Sequence, residues 1–391
     1  MSVAFDVVVV GAGIVGAACA RECAERGLIT AVVDAAIVGG GATAAGMGHI
    51  VAMDDSPAQL ALTGYSQRLW QELAQELPGD VEFDQSGTLW LASDDEEMAE
   101  VERKHSVYAA AGIASEILSS EALAKEEPHL RRLAGALLAP GDAVLYPPCA
   151  AGYLIREAQR EGATLLTSKQ VVSAGNGRVR LDDGSELHTA RIVNACGADA
   201  ARLAPGLPIR KRRGHLVITD RYPGFVRHQL VELGYLKSAH SVTTDSVAFN
   251  VQPRRTGQLL IGSSREYDAE HAGVNQALLT AMIARAQDYI PDIGELQAIR
   301  VWTGFRAATP DKLPLIGPWP EDATMFLATG HEGLGITTSL ATAKLLAGTM
   351  LGDATPIDPA PYLPARYTLV DPVDGPAEFS AEVRAPERSH A

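Results

Sequence analysis

Apolar and polar positions alternate along this chain with two different periods, and the change between them outlines its architecture. Residues 6–10 end in a continuous β-branched run, the pattern of a parallel strand buried on both faces. An Ala-rich helical stretch follows to about Arg26, and a second strand, 30–33, closes on Asp34. Helical spacing returns at 57–77, 94–111 and 147–162, with GTLWLAS from Gly87 reading as a strand between the first two. Beyond Gly162 the pattern turns β-rich as far as VNACGA at Val193, and Asp183-Gly184 between alternating runs predicts a hairpin. From Gly214 to Arg265 the alternation predicts three antiparallel strands, HLVIT, SVAFNVQP and GQLLIGSS, then a helix over 275–289 and a strand over 299–302. ATGHEGLGITTSLATAKLLAG, from Ala328, reads as a strand tail, a glycine-punctuated loop and a helix. After Met350 the chain becomes rich in Pro, Asp and Glu, and residues 368–391 are expected to form a disordered acidic tail.

A length of 391 residues exceeds the usual size of a single core, so two domains or one elaborated domain are expected. An apolar fraction of 47% and a charged fraction of 21% are those of an ordinary globular chain. The net charge of −15 argues against a nucleic-acid partner, which clustered Lys and Arg would have to hold. The one dense basic run, Arg210-Lys211-Arg212-Arg213, reads as the solvated start of a strand. The N-terminus has no basic region or cleavage site before its first strand, and no apolar run is long enough to span a bilayer, so a cytoplasmic location is expected. Cys19, Cys23, Cys149 and Cys196 lack metal-site spacing and are taken as core residues, with no metal expected.

The chemistry begins at Gly11-Ala-Gly13-Ile14-Val15-Gly16. Gly11 serves the tight turn, Gly13 the close approach of a pyrophosphate, Gly16 the packing of helix on strand, and Asp34 accepts from a ribose hydroxyl. The strand before, the helix after and the acid that ends the second strand make this a dinucleotide fingerprint. A second glycine-rich stretch, from Gly39 to His49, is dominated by small apolar residues, which let a backbone lie close to a long ligand. The loop at Gly330 then chooses among dinucleotides. FAD is long, and reduction puts negative charge on one edge of its ring, where a helix N-terminus contributes on the order of 1 kcal/mol. An NAD enzyme has no comparable need for a second glycine-rich helix start so far downstream.

Together these segments resemble the D-amino-acid oxidase-like flavoenzymes, a group that includes glycine oxidase, sarcosine oxidase and several amino- and imino-acid dehydrogenases. The resemblance runs from Val3 to about Tyr367. It is carried by GAGIVG at Gly11, TAAGM at Thr43, VV at Val171, VNACGA at Val193, GFRAATPDKLPLIG at Gly304 and GHEGLGITTS at Gly330, in that order. It implies an α/β fold: an FAD-binding Rossmann-type domain with a β-meander (1–80, 145–213 and 303–367), plus an α+β substrate domain built on an antiparallel sheet (81–144 and 214–302).

By position, the resemblance implies that Thr43, Ala44, Ala45, Gly46 and Met47 run along the pyrophosphate and flavin. It places the Val172 backbone on the adenine and Gly197 beside the dinucleotide, and sets Gly330, His331, Gly333, Leu334, Gly335, Ile336 and Thr337 around the pyrimidine edge. Arg306 falls at the family's carboxylate-binding arginine, and a guanidinium fork suits that task on physical grounds as well. His49 is the second candidate catalytic residue, with Glu332 and His215 as weaker ones. There are departures: glycine oxidase-like sequences carry an arginine where Gly333 stands, and a tryptophan common after the NAAGA motif is Asp199 here.

The forms GHEGLGITTS and AAGMGHIVAMDDS look most like the bacterial D-hydroxyproline dehydrogenases and their relatives, the opine oxidase and hydrogen-cyanide synthase subunits. That likeness implies cis-4-hydroxy-D-proline, D-proline or a similar substrate, oxidised by hydride transfer from Cα to flavin N5, with the electron acceptor left open. The alternatives are a glycine- or sarcosine-type oxidase using oxygen, an electron-transferring subunit of a hetero-oligomeric opine or amino-acid dehydrogenase and, last, an NAD-dependent dehydrogenase or a non-catalytic nucleotide-binding protein. Homo- and hetero-oligomers are both compatible with the sequence.

Overall fold

The computed structural model describes residues 4–233, 245–267, 269 and 271–367. The expected acidic tail at 368–391 lies outside the described residues.

The strand Ala4–Val10 is central to the first sheet. Parallel neighbours run outward from it, Thr30–Val33 and Thr164–Leu166 on one side, Glu186–Asn194 and Asp322–Thr329 on the other, and Leu315–Trp319 closes that edge antiparallel. Its β-branched run is apolar on both faces because both are covered. Val7 and Val9 face a helical layer built from Ile14–Glu25, Pro147–Arg160 and Gly335–Leu351. Val8 and Val10 face the opposite core, which includes Val171 and Val179 of a meander formed by Val171–Gly175, Arg178–Leu181 and Glu186–Asn194. Gly16 holds helix to strand at close quarters: a Cβ there would collide with the Gly11 carbonyl and crowd the Ala195 methyl.

Pro57–Leu73 packs on the C-terminal helix. It starts where Ser56 accepts from the Gln59 N–H at 3.1 Å and Pro57 occupies the first turn.

The second sheet has the order Ala298–Ala308, Arg210–Arg221, Gln258–Arg265, Ser246–Pro253, Gln229–Glu232, Thr88–Ala92, Gly135–Ala139, Glu116–Ser119. It is antiparallel as expected except at one place, where Gln229–Glu232 runs parallel to Thr88–Ala92. Two of its strands are longer than the alternation predicts. The divisions expected after 213 and before 303 therefore fall inside Arg210–Arg221 and Ala298–Ala308, which pair along almost their whole length. Gln276–Tyr289 covers one face with Met282, Ala286 and Tyr289. On the other face Leu216 and Leu260 pack on Met47, which brings this sheet against the glycine-rich segment that follows the nucleotide fingerprint.

Asp95–Ala110 reinforces that junction. Asp94 caps it by accepting from the Glu97 N–H, and its Lys104 is fully buried in an ion pair with Asp54. The Lys104 ammonium lies 4.2 Å from the Trp90 ring centroid and 5.0 Å from that of Tyr108, whose hydroxyl donates to the Ala52 carbonyl. Removing one partner of such a pair strands a buried charge, at about 3–5 kcal/mol. Arg103 also reaches Asp54, at 2.8 Å, which keeps the cost near the lower end. Lys104→Ala is expected to lower unfolding stability by about 3 kcal/mol, read as a shift of the urea midpoint with unchanged slope.

Candidate active site

Three glycine-rich segments converge on one place. At the first, Gly11 takes a positive φ of 105°, the Ala12 N–H donates to Asp34 Oδ2 at 2.7 Å, and the Ala36 N–H donates to the other carboxylate oxygen at 2.8 Å. Asp34 thus pins the turn from the end of the neighbouring strand. The helix that follows has Gly13 at its N-cap and no side-chain cap within its own sequence. The second segment supplies one acceptor: Thr43, in the single turn Gly41–Ala44, accepts from the Ile14 N–H at 3.0 Å. Val172 lies half-exposed on the rim of this region, three residues beyond Lys169, whose N–H donates to the Asp34 carbonyl. Thr329 donates to the Gly197 carbonyl at 2.8 Å, tying that residue to the strand that leads into the last segment.

The third segment, 330–337, touches both of the others. A Cβ at Gly335 would sit 3.5 Å from Val15, and one at Gly46 would be 2.7 Å from Ile336 Cδ1. The helix Gly335–Leu351 begins with no side-chain cap and no acid in its first turn, so its start carries the positive end of the dipole. Thr337 locks that start in place, donating to the His49 carbonyl at 2.8 Å and accepting from the Val51 N–H, while Trp70 donates to the Ile336 and Thr337 carbonyls. Leu334 bridges back to His331 through its N–H. The His331 ring turns inward to Thr342, at 3.1 Å, and burial holds its pKa down at about 3.

The second sheet supplies the remaining wall. Gly304, Arg306, Arg212 and Gly214 lie on one face of two paired strands, Arg212 opposite Arg306 and Gly214 opposite Gly304. Gly304 faces Ala45, and the Trp302 indole donates to the Ala45 carbonyl at 3.3 Å. The Arg306 guanidinium lies over Gly214, where a Cβ would collide with it, and donates to the Ser264 carbonyl at 3.0 Å. Its alkyl chain runs beneath Gly333, whose φ of 100° and contact with Arg306 Cδ together exclude a larger residue.

His49 stands in the short strand His49–Ile50. Its Nε2 is buried and has no hydrogen-bond partner among the described residues. Burial, with the Arg306 charge adding to it and Gln252 opposing, pushes its pKa down to about 4, so the ring is neutral at physiological pH.

The expected candidates fare differently. Arg306 and His49 stand close enough for the Arg306 charge to act on His49. His215 is held by Ser264 at Nδ1 and by the Asn275 N–H at Nε2, which leaves its ring fully engaged in the fold. The basic run at 210–213 is not a solvated face. Arg212 is buried in an ion pair with Glu332, Arg213 pairs with Glu266 at 2.6 Å, and Lys211 pairs at the surface with Asp199. Strand alternation, extended back from HLVIT, gives the reason, since it places 212, 214 and 216 on one face. Sequence reasoning also passed over Gln252, which donates to the Met47 carbonyl, and Trp302. The cysteines divide: Cys19 and Cys23 are buried, Cys149 and Cys196 only partly. Among the described residues no group of three or more His, Cys, Asp or Glu is placed to hold a metal ion, and no helix is long and apolar enough to cross a membrane.

The family model for FAD dependent oxidoreductases, DAO, matches residues 6–349. The chain belongs to that family. It is 30% identical to hydrogen cyanide synthase subunit HcnC of Pseudomonas aeruginosa, across 94% of this chain and 97% of that protein. It is 28% identical to a glycine oxidase of Geobacillus kaustophilus, across 93% and 97%. The crystal structure of glycine oxidase from Geobacillus kaustophilus superposes with a TM-score of 0.83 at 27% identity, covering 93% of this chain and 99% of that one.

The protein is therefore an FAD-dependent oxidoreductase, and its own residues fit the cofactor. Two helix starts, one with its first N–H taken by Thr43 and one uncapped, the small-residue segment between them and an orphaned buried imidazole nitrogen form a cradle that fits an elongated, electron-rich ligand.

Buried neutral histidines also set a pH dependence. Unfolded, each imidazole binds a proton near pH 6.5, whereas in the native state His49 and His331 resist protonation down to about 4 and 3. Below pH 6.5 the unfolded state therefore binds more protons, and stability falls with decreasing pH at up to about 1.4 kcal/mol per pH unit for each histidine. The contribution is fully present above pH 6.5. His331→Gln is expected to flatten the slope of unfolding free energy between pH 6 and 4 by up to one proton, measured by urea titration across that range.

Proposed function

We propose that the protein oxidises a small amino or imino acid at its Cα–N bond, with cis-4-hydroxy-D-proline or D-proline as the best substrate. The observation that carries the substrate class is Arg306, laid over Gly214 and beneath Gly333 on the sheet face nearest the uncapped helix start; the particular substrate rests on the sequence resemblance. A guanidinium fixed there pairs with a carboxylate in two parallel hydrogen bonds and so sets the direction of the substrate Cα–H. FAD, when bound, supplies the acceptor for the hydride leaving Cα, through N5 of its ring.

The chain's own residues do the rest. Gly11, Gly13, Ile14, Val15 and Gly16 would approach the pyrophosphate, with Asp34 on a ribose hydroxyl and Val172 and Gly197 near the adenine half. Thr43, Ala44, Ala45, Gly46 and Met47 would lie along the ligand. Gly330, His331, Gly333, Leu334, Gly335, Ile336 and Thr337 would face the pyrimidine edge, His331 through its backbone. His49, neutral by burial, offers Nε2 as a hydrogen-bonding group beside the substrate without adding charge. The wall made by Met47, Leu216, Leu260 and Trp302 keeps water from that side. No side chain is required as a base if the amine is neutral when the hydride departs.

The likeness to a hydrogen cyanide synthase subunit supports a second reading, in which the chain passes electrons onward within a hetero-oligomer. A protein of that kind, purified alone, reduces with substrate but turns over only with an artificial acceptor, whereas an oxidase reoxidises in air.

Anaerobic titration of the flavin-loaded protein with glycine, sarcosine and D- and L-amino and imino acids, following loss of the visible flavin absorbance, tests the substrate class. Arg306→Leu is expected to keep its FAD and to weaken binding of the bleaching substrate about 100-fold or more, the loss of a bidentate charged pair. Retained tight binding would refute the assignment of Arg306.

A further inference from the structure

The Arg212–Glu332 pair is not needed to explain carboxylate binding, yet it stands beside the group that provides it. Arg212 is opposite Arg306 in the strand register, and Glu332 precedes the Gly333 that lies on the Arg306 side chain. Both side chains are more than nine-tenths buried. Glu332 is held on both sides, its N–H donating to the Ala307 carbonyl at 2.9 Å and its Oε1 meeting Arg212, which is also 3.3 Å from the Tyr267 hydroxyl. Its other carboxylate oxygen, Oε2, is buried and has no hydrogen-bond partner among the described residues. An ionised carboxylate leaves a buried oxygen without a donor only at a cost, which a donor brought by a ligand would offset. A second guanidinium here would favour a second carboxylate on the ligand. Cancelled by Glu332, Arg212 leaves the site with an acceptor that is fixed in position and near the Arg306 carboxylate site.

We propose that Glu332 receives the substrate's N–H, so that the Arg212–Glu332 pair selects amino and imino acids over carboxylates that carry no N–H donor. This rests on the reading of Arg306 as the carboxylate site. An α-amino or α-imino acid presents its carboxylate and its N–H one carbon apart. Arg306 and Glu332, neighbours with opposite charge, match that polarity. Arg212 acts as a positioning residue, holding the carboxylate by one oxygen so that the other faces the ligand.

The test uses matched ligands on the FAD-loaded enzyme under anaerobic conditions: D-proline against tetrahydro-2-furoate, in which oxygen replaces the ring N–H, and glycine against acetate. Dissociation constants come from the concentration dependence of flavin reduction for the amines, and from perturbation of the flavin spectrum for the others. In Glu332→Gln, amine binding is expected to weaken tenfold or more, while tetrahydro-2-furoate and acetate bind at least as tightly as in wild type, because Arg212 is no longer neutralised. Equal weakening of both members of a pair would reduce Glu332 to a structural ion pair and overturn the proposal, as would unchanged amine binding. If Glu332→Gln does not fold, Arg212→Lys gives the same readout: selective loss of amine binding supports the proposal and equal loss overturns it. A wild-type flavin that responds to none of the four ligands overturns the reading of Arg306, and this inference with it.

Discussion

The site depends on one helix start being held still by parts of the chain nearly three hundred residues away. Thr337 donates to the His49 carbonyl and takes the Val51 N–H, and Trp70 reaches the Ile336 and Thr337 carbonyls from a third helix. These bonds fix the direction of the helix dipole before any ligand arrives. Because groups that stabilise developing charge act best when they need not reorganise, a rigid helix start is worth more than a mobile cation at the same distance. The helix start has no side-chain cap and no acid in its first turn, so its first N–H groups keep the positive end of the dipole.

Arg306, Arg212 and Glu332 are the charged side chains that the described contacts bring to this point. Arg306 lowers the pKa of His49, and burial does the same more strongly, so the imidazole remains a neutral neighbour of a cation. Arg212 would add a second cation, but Glu332 meets it. Arg212 reaches this point from the strand opposite Arg306, together with its own anion. The consequence is a site whose polarity changes over a short distance, from guanidinium to carboxylate, rather than one of uniform positive potential.

Much of this was legible in the residues. Continuous β-branched runs gave the parallel sheet, and the spacing of Gly11, Gly13, Gly16 and Asp34 gave the turn, because each depends on neighbours in sequence. The uncapped loop at Gly330 could be read for the same reason. The partners of Arg212 could not. Whether Arg212 meets solvent or Glu332 depends on the register between Arg210–Arg221 and Ala298–Ala308 and on where the 330–337 loop crosses them, and both are long-range facts. His215 illustrates the converse: its chemistry invited a functional role, yet Ser264 and Asn275, each about fifty or sixty positions away, engage both ring nitrogens. The strand Ala298–Ala308 was read short because its middle holds Thr303, Gly304 and Arg306, residues that interrupt an apolar alternation.

That last failure carries information about function. A strand whose inward positions are Gly304 and Arg306, paired with one whose inward positions are Arg212 and Gly214, is a poor core strand by every packing criterion. The glycines are small because other groups fill their space: Ala45 against Gly304, the Arg306 guanidinium against Gly214. Local preference is given up here along two adjacent strands at once, and only where they meet the segments from the nucleotide-binding half. Conflict between sequence pattern and structure that is confined to one face, and compensated contact by contact, is what a binding surface imposes on a sheet.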